Sequence, residues 1–134
     1  CTGGLIGHRL TQTPGSSDYF LEGVVAYSNE SKNSRLEVSP TLIRKYGAVS
    51  EEVALAMAEG IRKTSGADIG LSVTGVAGPD ASNNKPVGTV FIAISDEEKS
   101  DCKYFRFYND RSRNKERSAQ AGLDLLRRWF RNLT

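Results

Sequence analysis

The chain has 134 residues, 38% of them hydrophobic and 25% charged, with a net charge of +2. That length fits one domain with one ordinary core, and no apolar run approaches the roughly 20 residues of a membrane span. The two cysteines, Cys1 and Cys102, lie far apart with no CxxC or metal-ligand spacing, so reduced thiols in a cytoplasmic protein are expected. The net charge is too small to imply nucleic acid, but its distribution is uneven. From Arg111 to Arg131 there are seven basic and two acidic residues, while the remainder is slightly acidic.

Thr2-Gly3-Gly4 followed by Leu5, Ile6, Arg9 and Leu10 reads as a glycine-rich turn opening a helix that ends near Thr13-Pro14-Gly15. Such a turn ordinarily follows a strand, so a strand upstream of Cys1 is expected. Ser16-Ser17 begins a short turn. Gly23 to Tyr27 (GVVAY) is apolar and β-branched, which predicts a buried strand, with Ser28 to Lys32 as a polar connection after it. Pro40 to Tyr46 predicts a short helix stopped by Gly47. Ser50 is placed to cap the next, with Glu51 and Glu52 in its first turn, Val53, Ala54, Met57, Ala58 and Ile61 on one face, and Gly66 at its end. Asp68 to Thr74 predicts a strand running into Gly75-Val76-Ala77-Gly78, and Gly88 to Ile94 another after the polar loop 79–87. Cys102 to Tyr108 has the alternation of an exposed or edge strand. The last helix starts near Arg113 and aligns Ala119, Gly122, Leu123, Leu126, Phe130 and Leu133 on one stripe, with Trp129 on its flank. Strands alternating with helices predict an α/β fold, a three-layer α/β/α sandwich with a mixed, mostly parallel sheet, in a single domain over 1–134.

Elimination narrows the chemistry. His8 is the only histidine and lies within the first helix, where a surface or packing role is expected, so a histidine-based triad has no support. No HExxH, paired CxxC or carboxylate-rich loop occurs, and neither glycine turn is a dinucleotide or triphosphate fingerprint. No metal or cofactor is expected. What remains is a set of hydroxyls, a lysine and backbone-rich turns. Ser16 and Ser17 precede the predicted strand at 23–27 and Lys32 follows it; a buried lysine amine can serve as base to a serine nucleophile. The alternative is a turn cap and a solvated lysine. The turns at Thr2 to Gly4 and Gly75 to Gly78 could present backbone amides to an anion, and Arg111, at the start of the basic helix, could grip a phosphate. The basic stretch could equally be a solvated helix face.

Six strings then become specific in this order: Cys1-Thr2-Gly3-Gly4-Leu5; Pro14-Gly15-Ser16-Ser17 with Tyr19-Phe20; Val25-Ala26-Tyr27-Ser28-Asn29-Glu30 with Lys32; Gly47-Ala48-Val49-Ser50-Glu51; Thr74-Gly75-Val76-Ala77-Gly78-Pro79; and Lys85-Pro86-Val87-Gly88-Thr89-Val90. Through them the chain closely resembles the CinA C-terminal domain family, which includes nicotinamide mononucleotide deamidases, over essentially its whole length. The resemblance implies hydrolysis of the mononucleotide's carboxamide to nicotinic acid mononucleotide and ammonia, without a metal, in a homodimer. Carried over by motif, Ser17 is the expected nucleophile, Lys32 its base and Tyr27 a hydroxyl organising the pair. Thr2, Gly3, Gly4, Ser16, Thr74, Gly75 and Gly78 would line the pocket, and Arg111 would hold the phosphate. Members of the family carry a helix and a strand upstream of the Cys-Thr-Gly-Gly string, so those elements are expected to be missing here. Two rival functions remain: a pyridine-nucleotide-binding or competence/damage-associated regulatory domain without turnover, and a nucleic-acid binder using the basic helix. No nucleic-acid-binding signature supports the second.

Overall fold

The computed structural model describes residues 1–82 and 84–133, the side chain of Leu133 excepted. In chain order it has α1 (Leu5–Leu10), a single 3-10 turn (Ser16–Asp18), α2 (Asn29–Leu36), α3 (Pro40–Tyr46), α4 (Glu51–Ser65), β1 (Gly70–Gly75), β2 (Thr89–Ser95), β3 (Ser100–Arg106) and α5 (Arg111–Leu133). None of these helices is long and apolar enough to cross a membrane.

The helix boundaries follow local chemistry. Ser28, Ser39 and Ser50 each accept a backbone N–H of the first turn, at Ser31, Leu42 and Val53, which satisfies a donor that the helix itself leaves open. Gly66 ends α4 in the left-handed conformation. Val53, Ala54, Met57 and Ala58 form its buried face, as their spacing predicts, with Ile61 half-buried beside them.

Among the described residues the strands form one sheet in the order β1-β2-β3, antiparallel throughout. The expected mixed, mostly parallel sheet is therefore wrong. The reason is connectivity. Parallel neighbours need a long crossover, whereas β2 and β3 are joined by a tight turn in which the Asp96 carboxylate accepts the N–H groups of Glu98 and Lys99, each at 2.8 Å. Between β1 and β2 runs an irregular loop, with no helix to carry a crossover. β3 lies at the sheet's edge, as its alternation predicts, with Tyr104 exposed.

Gly23 to Tyr27 is not a buried strand. The backbone alternates as a strand would, Val24 and Ala26 packing toward the α2–α4 core while Val25 and Tyr27 are 57% and 69% exposed, yet among the described residues it joins no ladder. A cleft of about 920 Å³ lies between this segment and β1. Ladder hydrogen bonds, not β-branched composition, define a strand, and among the described residues this segment makes none. Ser28 to Lys32 likewise is no connection: Ser28 caps α2 and the rest begins it.

α4 and α5 pack against opposite faces of the sheet. On one face Ser72 donates to the Ala54 carbonyl at 2.6 Å and Thr74 to the Ala48 carbonyl at 2.7 Å, so two buried hydroxyls are satisfied by the backbone of α4 and its approach. A β-carbon on Gly70 would stand 2.0 Å from the Ala58 carbonyl, which shows how close α4 comes. On the other face Leu71 and Val73 meet α5 with the fully buried Val90, Ile92 and Ile94. Such side chains each contribute roughly 1.5–3 kcal/mol when removed from water.

The stripe expected on α5 is rotated. Ala119 and Gly122 are buried, but the rest of the line is Asn114, Ser118, Leu125 and Trp129, while Leu123 and Leu126 are half-buried and Phe130 is 52% exposed. The side chain of Leu133 lies outside the described residues. Trp129 outcompetes Phe130 for the interior because its indole N–H finds the Asp96 carboxylate at 3.1 Å, with the Lys99 ammonium over its ring.

Candidate functional site

The site grows from the point where four backbone segments meet. The turn at Thr2 to Gly4 carries positive φ at both glycines, 65° and 91°, and a β-carbon on Gly4 would stand 3.3 Å from Val25. Gly75 lies beside it, its missing β-carbon leaving room for the Cys1 sulfur. The Gly75–Gly78 turn is tied to the start of α5 rather than to a helix of its own. Asn114, fully buried, donates to the Ala77 and Asn109 carbonyls and accepts the Asn109 N–H, while Asp110 caps α5 by accepting the Arg113 N–H. Arg111 donates to the Gly78 carbonyl and, at 3.1 Å, to the Tyr27 hydroxyl. Tyr27, Gly78 and Arg111 are thus brought together across a sequence separation of 84 residues.

Lys32 is the buried member, 8% exposed on the first turn of α2, so the solvated alternative does not hold. Its ammonium donates to the Ala26 carbonyl at 3.2 Å. Burial pushes its pKa below the ordinary lysine value, in the direction a general base at neutral pH requires. Lys32, Lys115 and Arg111 all bear electrostatically on the Cys1 nitrogen, and among the described residues none of the three sits in an ion pair. Arg111 at the Gly75–Gly78 turn and Lys115 at the Thr2–Gly4 turn set positive charge beside both glycine turns.

The remaining residues are placed differently. Ser16 and Ser17 open the 3-10 turn, Ser17 exposed, and neither hydroxyl has a hydrogen-bond partner among the described residues; Lys32 is not in hydrogen-bond contact with Ser17. Thr2 is buried at the glycine turn. Thr74 is buried with its hydroxyl proton committed to Ala48. His8 is exposed and bonded only to Gln12, as expected of a surface residue. Asn114 and Lys115 escaped the sequence reading. Their signal was available: positions three and four after Arg111 share its helix face.

Residues 1–130 match the CinA C-terminal domain family. Proteins described as CinA-like from Citrifermentans bemidjiense and Desulfotalea psychrophila are 51% and 53% identical, each over 97% of this chain and 32% of their own length. A putative competence-damage inducible protein of Acetivibrio thermocellus is 45% identical over 99% of the chain and 32% of its own length. The chain thus spans about a third of the curated relatives it matches. Among solved structures, the competence/damage inducible protein CihA of Agrobacterium tumefaciens superposes with a TM-score of 0.90 at 36% identity, covering 94% of this chain and 78% of that one. By sequence and by fold, the chain belongs to the CinA C-terminal domain family.

Proposed function

We propose that this domain is a nicotinamide mononucleotide deamidase, an amidohydrolase that converts the mononucleotide and water to nicotinic acid mononucleotide and ammonia. The observation that carries the proposal is the set of unpaired cations, one of them a buried lysine with a depressed pKa, gathered at two glycine turns in a chain of this family. Ser17 Oγ attacks the carboxamide carbon while its proton passes to Lys32 Nζ. The tetrahedral intermediate collapses as Lys32 returns that proton to the departing nitrogen, releasing ammonia. Water, deprotonated by Lys32, then cleaves the acyl-serine to give the carboxylate and restore the hydroxyl. Amides of the Thr2–Gly4 turn face the developing oxyanion, a contribution whose loss costs about 10²- to 10³-fold in rate. Tyr27, held by Arg111, fixes the segment that carries the Lys32 acceptor, and Arg111 takes the phosphate. Ser16, Thr74, Gly75 and Gly78 complete the pocket, and the reading carries with it a homodimer in the cytoplasm.

That Ser17 and Lys32 share no hydrogen bond favours a second reading, in which the same pocket binds a pyridine nucleotide without turnover. Ammonia release from nicotinamide mononucleotide by the purified chain, without added metal and with nicotinamide riboside and glutamine as controls, decides between them. The deamidase reading expects selective release from the mononucleotide, its loss in Lys32→Gln with the fold retained, and weaker affinity in Arg111→Ala. Binding without release supports the regulatory domain, and full activity in Lys32→Gln overturns the Ser17–Lys32 assignment.

A further inference from the structure

We propose that Lys115 is a second cationic ligand for the phosphate monoester, gripping it together with Arg111 from the far side of the Thr2–Gly4 turn. The inference rests on the reading that this site takes a phosphorylated nucleotide. Its own support is geometric. Lys115 lies one turn after Arg111 on α5, so the two side chains rise from the same face of one long helix. The Lys115 ammonium stands 3.4 Å from the position a β-carbon at Gly3 would take, so it rests directly against the glycine turn. Gly3 has φ of 65°, a conformation in which a side chain is strained, and the absence of one leaves that space to the ammonium.

Charge selects the ligand. Lys115 is half-buried and, among the described residues, has no carboxylate partner, although Glu116 is its chain neighbour. A flexible lysine with only its own backbone environment would ordinarily extend into solvent. One turn from Arg111 on α5, it adds to the positive potential of the site unless an anion enters. A phosphate monoester is close to a dianion at neutral pH, which one cation neutralises only halfway. Arg111 offers a planar fork with one N–H already committed to Gly78 and another to Tyr27, whereas Lys115 offers a compact point charge with its donors unspent. The two are complementary: the arginine orients the phosphate against the Tyr27 and Gly78 walls, and the lysine supplies the second charge. Discrimination between a nucleotide and its nucleoside then rests on both residues.

The test is calorimetric titration of nicotinamide mononucleotide, ribose 5-phosphate and nicotinamide riboside into the full chain and into Lys115→Met, Lys115→Arg and Arg117→Met. The proposal expects Lys115→Met to weaken both phosphorylated ligands by about tenfold to a hundredfold, the loss of one charge-assisted hydrogen bond, and the riboside by less than about twofold. Lys115→Arg restores most of the affinity. Arg117 is exposed and lines a separate surface hollow with Arg113, Glu116 and Gln120, so Arg117→Met removes the same charge from the helix without the Gly3 contact and leaves binding within about twofold. Equal weakening of mononucleotide and riboside, or an unchanged mononucleotide affinity in Lys115→Met, overturns the proposal. A chain that binds phosphorylated ligands through Lys115 but releases no ammonia removes the deamidase and leaves this inference standing. A chain that binds neither phosphorylated ligand removes both.

Discussion

The α4 face of the sheet and the stretch from Gly15 to Tyr27 are built from similar small and apolar residues, yet they behave as opposites. On the first, Gly60 and Gly70 let backbone meet backbone: a β-carbon at Gly60 would lie 1.9 Å from the Leu36 carbonyl. Hydroxyls that burial would otherwise penalise are spent on carbonyls across the gap. In the second, Tyr19, Leu21, Val25 and Tyr27 are exposed, Gly15 has nothing within 4 Å of its missing β-carbon, and the cleft beside β1 stays open. The difference teaches how the candidate site is assembled. Lys32 and Arg111 stand on α2 and α5, anchored by packing and by Asn114, whereas Ser17 stands on the loosely held side.

Substitutions can break or sharpen that contrast. Gly60→Ala forces backbone apart on the tight face and is expected to cost about 3 kcal/mol, while Gly15→Ala, strained only by its φ of 85°, costs about 1 kcal/mol. Urea denaturation of the two variants measures the gap, and equal losses would show that the α4 contact yields easily. Asn114→Leu strands the Ala77 and Asn109 carbonyls and the Asn109 N–H, with an expected loss of about 2 kcal/mol and a weaker nucleotide affinity as the Gly75–Gly78 turn loosens. Thermal melting and ligand titration of the same preparation check both arms.

Lys32→Met moves the other way. The folded pKa of Lys32 lies below its unfolded value because of burial, so the unfolded chain binds more protons between the two values and stability rises with pH across that window. Below it the buried charge destabilises the fold, and removing it raises the melting temperature by a few degrees at pH values below that window. The advantage should fade as pH approaches the ordinary lysine value of 10.5; a variant less stable at pH 7 would show that the bond to Ala26 outweighs burial. Phe130→Ser, on the open side, should change stability by less than about 0.5 kcal/mol, and a larger loss would mean the cleft wall is tighter than its exposure indicates.

Local rules carried the reading where neighbours in sequence decide the outcome. Pro40 to Tyr46, the Ser50 cap, the α4 face and the Gly66 stop need only helix periodicity and end chemistry. Lys32, Tyr27, Arg111 and the two glycine turns were named from sequence, but only the fold shows that Tyr27 touches Arg111 and that Lys115 lies against Gly3. Ser17 shows the limit most clearly. Its motif is plain in the chain, and its distance from Lys32 is a property of a loop whose conformation no local preference specifies.

What the sequence determined by itself is therefore α1, α3, α4 and α5, the family to which the chain belongs and the inventory of groups able to do chemistry, because capping, periodicity and motif order are short-range information. Tertiary structure alone decided that the sheet is antiparallel, that among the described residues Gly23 to Tyr27 joins no ladder, that Trp129 rather than Phe130 is buried, and that Arg111 meets Tyr27 while Lys115 meets Gly3. Each of those outcomes depends on which distant segment supplies a hydrogen bond, a packing surface or a countercharge, and that is fixed only when the whole chain has closed on itself.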